Sequence, residues 1–370
     1  MTVMDMQAID EAAVDGPPPA ADDWVRAIVR WHFDPDTGSP YWLRRRASLG
    51  FDPLTDVVTA ADLQRFPDVS ADWSTVPVED LLPRGRAHAP APSVFESGGT
   101  MGRPKRIVET SSRARGVEWV DRVLAAHPGF PGVGDGHWLH IGPTGPHIVG
   151  RSVGRLAALR EAFCFYVDFD PRWVKRLVAE GRRDEVARYV DHVVDQALAV
   201  IADQDVRVVF ATPPVLEAIC ARPSALEAFQ ARTRGLIWSG TSISGETLRL
   251  LEQEIFADAT VVGLYGNSLM GIAPQRPRLD GDEQPCVFAP FHPRALVEVV
   301  EPGDPGRVVD FGRRGRVRLS LLTADLFLPN VMERDGAIRV APTADFPWTG
   351  VSAIGPLQAA GGPAIVEGVY

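Results

Sequence analysis

The stretch Ser97-Gly98-Gly99-Thr100-Met101-Gly102-Arg103-Pro104-Lys105 carries the strongest chemical signal in this 370-residue chain. Its glycines let backbone N–H groups approach an anion closely. The Ser97 and Thr100 hydroxyls can donate to phosphate oxygens, and Lys105 closes the loop with a cation. The order is not that of a Walker A loop, because Lys105 follows Pro104 and no Gly-Lys-Ser/Thr helix start is present. An ordinary Gly-rich hairpin has the same composition, so spacing alone leaves both readings open. Lysine occurs only at Lys105 and Lys175, the other positive charges being arginine.

The elements that must position this loop alternate in the βα manner. Val186, Val190, Val193, Ala197 and Ile201 predict one face of a helix, followed by a strand at Val206 to Phe210 and the turn Thr212-Pro213-Pro214. A strand at Leu236 to Trp238, a helix from about Gly245 to Phe256 and a strand at Thr260 to Leu264 continue the pattern. Ligands of such α/β sheets sit beyond the carboxyl ends of the strands, which makes Ser239-Gly240-Thr241 and Tyr265-Gly266-Asn267 candidate site loops. After Pro290 the texture changes to short strands at Leu296 to Val300, Val308 to Phe311 and Val317 to Leu322. The organisation read from this is a tail over 1–22, a helical leading segment over 23–92, an α/β core over 93–285, a small β subdomain over 286–345 and a tail over 346–370.

Composition narrows the partners. Lys+Arg 38 against Asp+Glu 48 gives a net charge of -10, which disfavours nucleic acid or an anionic membrane as the main partner. Cys164, Cys220 and Cys286 lack the paired spacing of a zinc site or a disulfide framework, which fits a reducing cytoplasm. The acidic, Pro-rich amino terminus does not read as a secretory signal, and no apolar run is long enough to span a membrane. The expectation is a folded cytoplasmic protein with a small-molecule ligand.

The loop at Ser97 to Lys105 resembles the Ser/Thr-Ser-Gly-Thr-Thr-Gly-Lys-Pro-Lys phosphate loop of the adenylate-forming superfamily, which includes acyl-CoA synthetases and adenylation domains. Other motifs follow in the family's order. Leu49-Gly50-Phe51-Asp52-Pro53 and Ala61-Asp62-Leu63-Gln64-Arg65-Phe66-Pro67 look like the leading segment of phenylacetate-CoA ligase relatives. Phe210-Ala211-Thr212-Pro213-Pro214 is similar to their Thr-Pro-Ser turn, and Tyr265-Gly266-Asn267-Ser268 to their Tyr-Gly-x-Ser/Thr-Glu adenine motif. The resemblance implies an α/β fold, the amino-terminal domain of adenylate-forming enzymes with sheets flanked by helices, plus the small β subdomain.

It also implies roles. Ser97, Gly98, Gly99, Thr100, Gly102 and Lys105 would hold ATP phosphates, with Lys105, Thr100 and His147 acting in catalysis. Ser239, Gly240 and Thr241 would lie against adenine, beside Tyr265, Gly266, Asn267 and Ser268. Pro143-Thr144-Gly145-Pro146-His147 resembles the turn beside the acyl carboxylate, so Gly145, His147, Trp238 and Ser239 would contact the acid. His147 taken alone would more often be a satisfied structural histidine. Two residues compete for the ribose hydroxyls, Asp325 and Asp335, and spacing after Pro329 favours Asp335.

Two departures qualify the resemblance. Position 269 is leucine where the family has a magnesium-binding glutamate, so ATP is the expected cofactor and Mg²⁺ is compatible with the chain but lacks its usual ligand. The family's mobile carboxy-terminal lid, with its catalytic lysine, is also expected to be absent. A short member of this kind resembles the adenylate-forming proteins of phenazine antibiotic pathways. It would activate an aryl acid with ATP and pass the acyl-adenylate to a separate acceptor enzyme or carrier protein, and it is compatible with a homodimer. The competing reading is a nucleotide- or acyl-adenylate-binding partner subunit that has lost adenylation.

Overall fold

The computed structural model describes residues 18–86, 93–97 and 103–357. Its strands, in chain order, are β1 (Val94–Glu96), β2 (Arg106–Val108), β3 (His137–Gly142), β4 (Cys164–Asp168), β5 (Val206–Ala211), β6 (Gly235–Ser239) and β7 (Thr260–Asn267). They continue with β8 (Gly271–Pro274), β9 (Val287–Phe288), β10 (Ala295–Glu301), β11 (Asp304–Val308), β12 (Arg314–Leu322), β13 (Phe327–Val340) and β14 (Gly350–Pro356). The chain forms two compact units, one of residues 1–119, 267–271 and 290–351, the other of residues 120–266, 272–289 and 352–370.

In the second unit the strands lie in the order β4-β3-β5-β6-β7-β8. The pairs β3/β4, β3/β5, β5/β6 and β6/β7 are parallel. A parallel sheet covered on both faces needs apolar side chains at consecutive positions, and β6 meets that demand with every residue buried. The helix Arg183–Asp203 buries Val193, Val194, Ala197 and Ile201, close to the face that its apolar spacing predicts.

The first unit contains the hairpin β1/β2 and the antiparallel strands β11-β10-β12-β13. Its core is aromatic: Trp42, Phe33 and Phe66 surround Phe327 with centroids 5.3 to 6.0 Å away. Buried indoles need acceptors for their N–H groups. Trp24 and Trp31 donate to the Leu322 and Ala324 carbonyls at 2.8 Å, and Trp42 donates to Phe327 at 2.9 Å. The helix Ala21–Phe33 thereby fixes the turn between β12 and β13, which carries Asp325.

Several elements differ from the sequence expectation. The strand expected at Val308 to Phe311 runs over Asp304–Val308 instead, because the pairing of Glu301 with Asp304 makes a tight hairpin that starts the return strand earlier. The helix after Gly245 is α-helical only to Leu250 and continues as a π-helical turn over Leu251–Ile255. β7 extends through Tyr265, Gly266 and Asn267, which are therefore the last residues of a strand rather than a loop. β13 and β14 were not read from the sequence; residues 350–356, expected to be part of a tail, are strand.

Candidate functional site

Ser97 and Lys105 stand at the end of the β1/β2 hairpin ladder. β1 and β2 pair Val94 with Val108 and Glu96 with Arg106, and the next rung is closed by Ser97 and Lys105. The Ser97 N–H donates to the Lys105 carbonyl at 2.9 Å, and the Lys105 N–H donates to Ser97 Oγ at 2.9 Å. Lys105 Nζ donates to Ser70 Oγ at 3.0 Å. The expectations for Gly98, Gly99, Thr100 and Gly102 lie outside the described residues. Ser70 was not found by sequence reasoning, and no local signal could have found it, since it stands 35 positions from its partner.

The helix Ser111–Ala125 follows the hairpin, and its amino terminus would leave backbone N–H groups unpaired. Asp325 fills this place from the β12–β13 turn. Its Oδ2 accepts from the Ser112 N–H at 2.9 Å and from Ser111 Oγ at 3.1 Å, while Oδ1 lies 2.8 Å from Arg86 Nε in an ion pair. Asp325 is 2% exposed and both of its oxygens are engaged. Asp335 stands in β13 instead, half-buried, within Glu333 to Asp335, the stretch that bulges between the Met332–Arg318 and Gly336–Arg316 pairs.

Arg113, in the first turn of the same helix, reaches the segment after β7. Its Nη2 donates to the Ser268 carbonyl at 2.7 Å and to the Leu269 carbonyl at 3.3 Å. Burial pulls its pKa down to about 10, opposed by the field of Glu109, so it stays protonated at neutral pH. The Leu269 side chain is 6% exposed and apolar. Arg113 was not singled out in the sequence, where it is one arginine among many.

In the second unit the carboxyl ends of β6 and β7 lie side by side, with Ser239 opposite Leu264. Ser239 Oγ donates to the Leu264 carbonyl at 2.8 Å, so this hydroxyl clamps the two strands. Gly240 follows at φ +103°, a conformation that favours glycine, and begins the turn that carries Thr241. Tyr265 is half-buried with its ring centroid 6.1 Å from that of Phe288. Trp238 lies edge-on to the same Phe288 at 6.2 Å and over Gly263, where an added Cβ would meet the indole at 2.6 Å.

The turn after β3 is pinned by Asp168, which accepts from the Thr144 N–H at 2.8 Å and from Thr144 Oγ1 at 2.5 Å. Gly145 is exposed, and a Cβ there would meet nothing. His147 is buried at the start of the helix Ile148–Leu159, with no hydrogen-bond partner for Nε2 among the described residues. Burial lowers its pKa, helped by Arg172, so it is a neutral imidazole near pH 7.

The site residues thus divide between the units. Ser97, Lys105, Asn267, Ser268 and Asp335 belong to the first; Gly145, His147, Trp238, Ser239, Gly240, Thr241, Tyr265 and Gly266 belong to the second.

No protein-family model matches the chain, and no curated protein matches it. Solved structures do. A 2-hydroxyisobutyryl-CoA ligase in complex with 2-HIB-AMP and CoA superposes with a TM-score of 0.59 at 14% identity, covering 95% of this chain and 69% of that one. An open conformation of that ligase gives 0.58 at 14% identity, with 90% and 67% covered. ATP-bound MatB from Rhodopseudomonas palustris gives 0.47 at 15% identity, with 71% and 47% covered. The chain therefore spans about half to two thirds of the length of these structures. Its fold is that of the amino-terminal domain of adenylate-forming enzymes, a mixed α/β arrangement of sheets flanked by helices.

The magnesium ion that this fold family implies can be tested against the side chains present. At position 269, where the resemblance puts a carboxylate, stands a buried leucine whose carbonyl accepts from the Arg113 guanidinium. Among the described residues no three His, Cys, Asp or Glu side chains converge to hold a metal ion. A leucine side chain offers no oxygen to Mg²⁺, so position 269 does not fit the carboxylate ligand that the resemblance implies.

Proposed function

We propose that this chain activates an aromatic carboxylic acid with ATP, forming an acyl-adenylate that passes to a separate acceptor enzyme or carrier protein in secondary metabolism. The observation that carries this reading is the Ser97–Lys105 closure. It holds Ser97 and Lys105, one of the chain's two lysines, together beside the β1/β2 ladder, on a fold shared with ligases of carboxylic acids. The reaction needs donors for the phosphates and for the charge of departing pyrophosphate, which the loop N–H groups, Thr100 and Lys105 would supply.

Within the second unit, Tyr265 would offer an aromatic face to adenine, with Gly240 and Gly266 allowing close approach of the ring. Ser239 would act through its clamp on β7, because its hydroxyl is already bonded to Leu264. His147 and Gly145 would flank the acyl carboxylate, and Trp238 would form an apolar wall suited to a planar acid. Within the first unit, Asp335 would take the ribose hydroxyls, since the Asp325 carboxylate is committed to Arg86, Ser111 and Ser112.

The buried Leu269 favours a second reading, a nucleotide- or acyl-adenylate-binding subunit without its own adenylation chemistry. Calorimetry with ATP, AMP and a panel of aryl acids tests the shared part of both. AMP binding strengthened by an aryl acid is expected; binding of neither nucleotide would remove the proposal. No helix among the described residues is long and apolar enough to cross a membrane, and a cytoplasmic place with no nucleic-acid partner fits the chain's acidity.

A further inference from the structure

We propose that Arg113 is the fixed cation that meets the nucleotide phosphates in this chain, in place of a carboxylate-held Mg²⁺, so that ATP binding is independent of the metal. The inference rests on the nucleotide-binding reading above.

Four observations within one unit carry it. Leucine at 269 offers no oxygen ligand from its side chain, and it is buried. The guanidinium of Arg113 is drawn to the same short segment, bonded through Nη2 to the carbonyls of Ser268 and Leu269. Gly271 has φ +108°, and a Cβ added there would stand 3.9 Å from Arg113 Nη1, so the group lies along the 268–271 turn. Carbonyl acceptors orient a guanidinium without cancelling its charge, and Arg113 remains protonated at neutral pH despite burial.

The chemistry is complementary to phosphate. A guanidinium presents planar N–H donors that match phosphate oxygens, and it carries its charge permanently. A divalent cation placed beside it would be repelled at short range in a poorly solvated site. Losing the glutamate and holding an arginine at one turn are therefore two parts of one exchange, a bound ion for a side-chain cation. Glu109 is the carboxylate whose field acts on Arg113, and it is the side chain that could reverse the argument by taking a metal itself.

The test is calorimetric titration of the full chain with ATP and with AMP, each in EDTA and in MgCl₂. ATP affinity is expected to agree within about twofold between the two buffers. Arg113→Met should weaken ATP by about tenfold or more in both buffers and AMP by less, with Arg113→Lys recovering part of the loss; tenfold corresponds to about 1.4 kcal/mol. The wild-type comparison needs no variant, so a poorly folded Arg113→Met protein does not decide the matter. ATP binding that needs Mg²⁺ by tenfold or more overturns the inference, and loss of that requirement in Glu109→Gln would assign the metal to Glu109. Failure of both ATP and AMP to bind in either buffer would instead remove the nucleotide-binding reading, and the inference with it.

Discussion

Lys105 and Ser97 are bonded to each other twice, by the Lys105 N–H to Ser97 Oγ at 2.9 Å and by the Ser97 N–H to the Lys105 carbonyl at 2.9 Å. The second bond is the ordinary ladder of an antiparallel pair; the first needs a hydroxyl at 97. Ser97→Ala keeps the ladder and loses the side-chain lock, at a cost of about 1 kcal/mol. Faster amide exchange at Lys105 and a severalfold weaker ATP affinity, with AMP less affected, are the expected results by hydrogen exchange and calorimetry.

Asp325 and Asp335 should separate cleanly by readout. Removing one partner of a buried ion pair commonly costs about 3 to 5 kcal/mol, so Asp325→Ala should lower the urea midpoint sharply and add nothing specific to nucleotide affinity per folded molecule. Asp335→Ala should weaken AMP by about 1.5 to 3 kcal/mol, the worth of a charged hydrogen bond, with a smaller fall in the urea midpoint than Asp325→Ala. The reverse pattern would place the ribose at Asp325.

Gly263 should tolerate no side chain while Trp238 is present. A Cβ there would stand 2.6 Å from the Trp238 ring and 3.2 Å from Phe288. Gly263→Ala should destabilise by about 1 to 3 kcal/mol through overpacking, and adding Trp238→Leu should restore part of that loss in thermal melts. Aryl-acid binding should fall in either single variant.

Acid should weaken the fold through His32 and His140. Burial lowers both to about 4 from an ordinary 6.5, and each has one ring nitrogen bonded to a carbonyl and an Nδ1 without a partner among the described residues. Protonating that nitrogen would bury an unpaired N–H and a charge. The stability each neutral ring contributes is complete above pH 6.5 and is lost as pH falls toward about 4, on the order of 3 kcal/mol per histidine. Urea midpoints measured from pH 7.5 to 4.5 should fall over that window, with a shallower slope in His32→Gln.

The parallel sheet was legible because its strands are buried on both faces, so that Val206 to Phe210 and Leu236 to Trp238 announce themselves as apolar runs between helices. β13 was not, because Glu333, Arg334 and Asp335 interrupt its apolar pattern at a bulge that only pairing with β12 makes tolerable. Motif order singles out Lys105, Tyr265 and His147 as candidates. Arg113 and Ser70 stayed hidden, since their meaning comes from contacts 155 and 35 positions away that no local spacing encodes. The bond from the Ser239 hydroxyl to the Leu264 carbonyl was equally hidden, because it joins strands 25 positions apart.

Acid-dependent exchange of labelled pyrophosphate into ATP reports formation of an acyl-adenylate directly, without needing the acceptor. Exchange is expected with an aryl acid, equal in EDTA-treated and Mg²⁺-supplemented protein if Arg113 replaces the metal, and reduced about a hundredfold or more by Lys105→Ala, as for loss of a group that stabilises developing charge. No exchange with any aryl acid, from protein that binds AMP tightly, would contradict adenylation by this chain and leave the binding-subunit reading in its place.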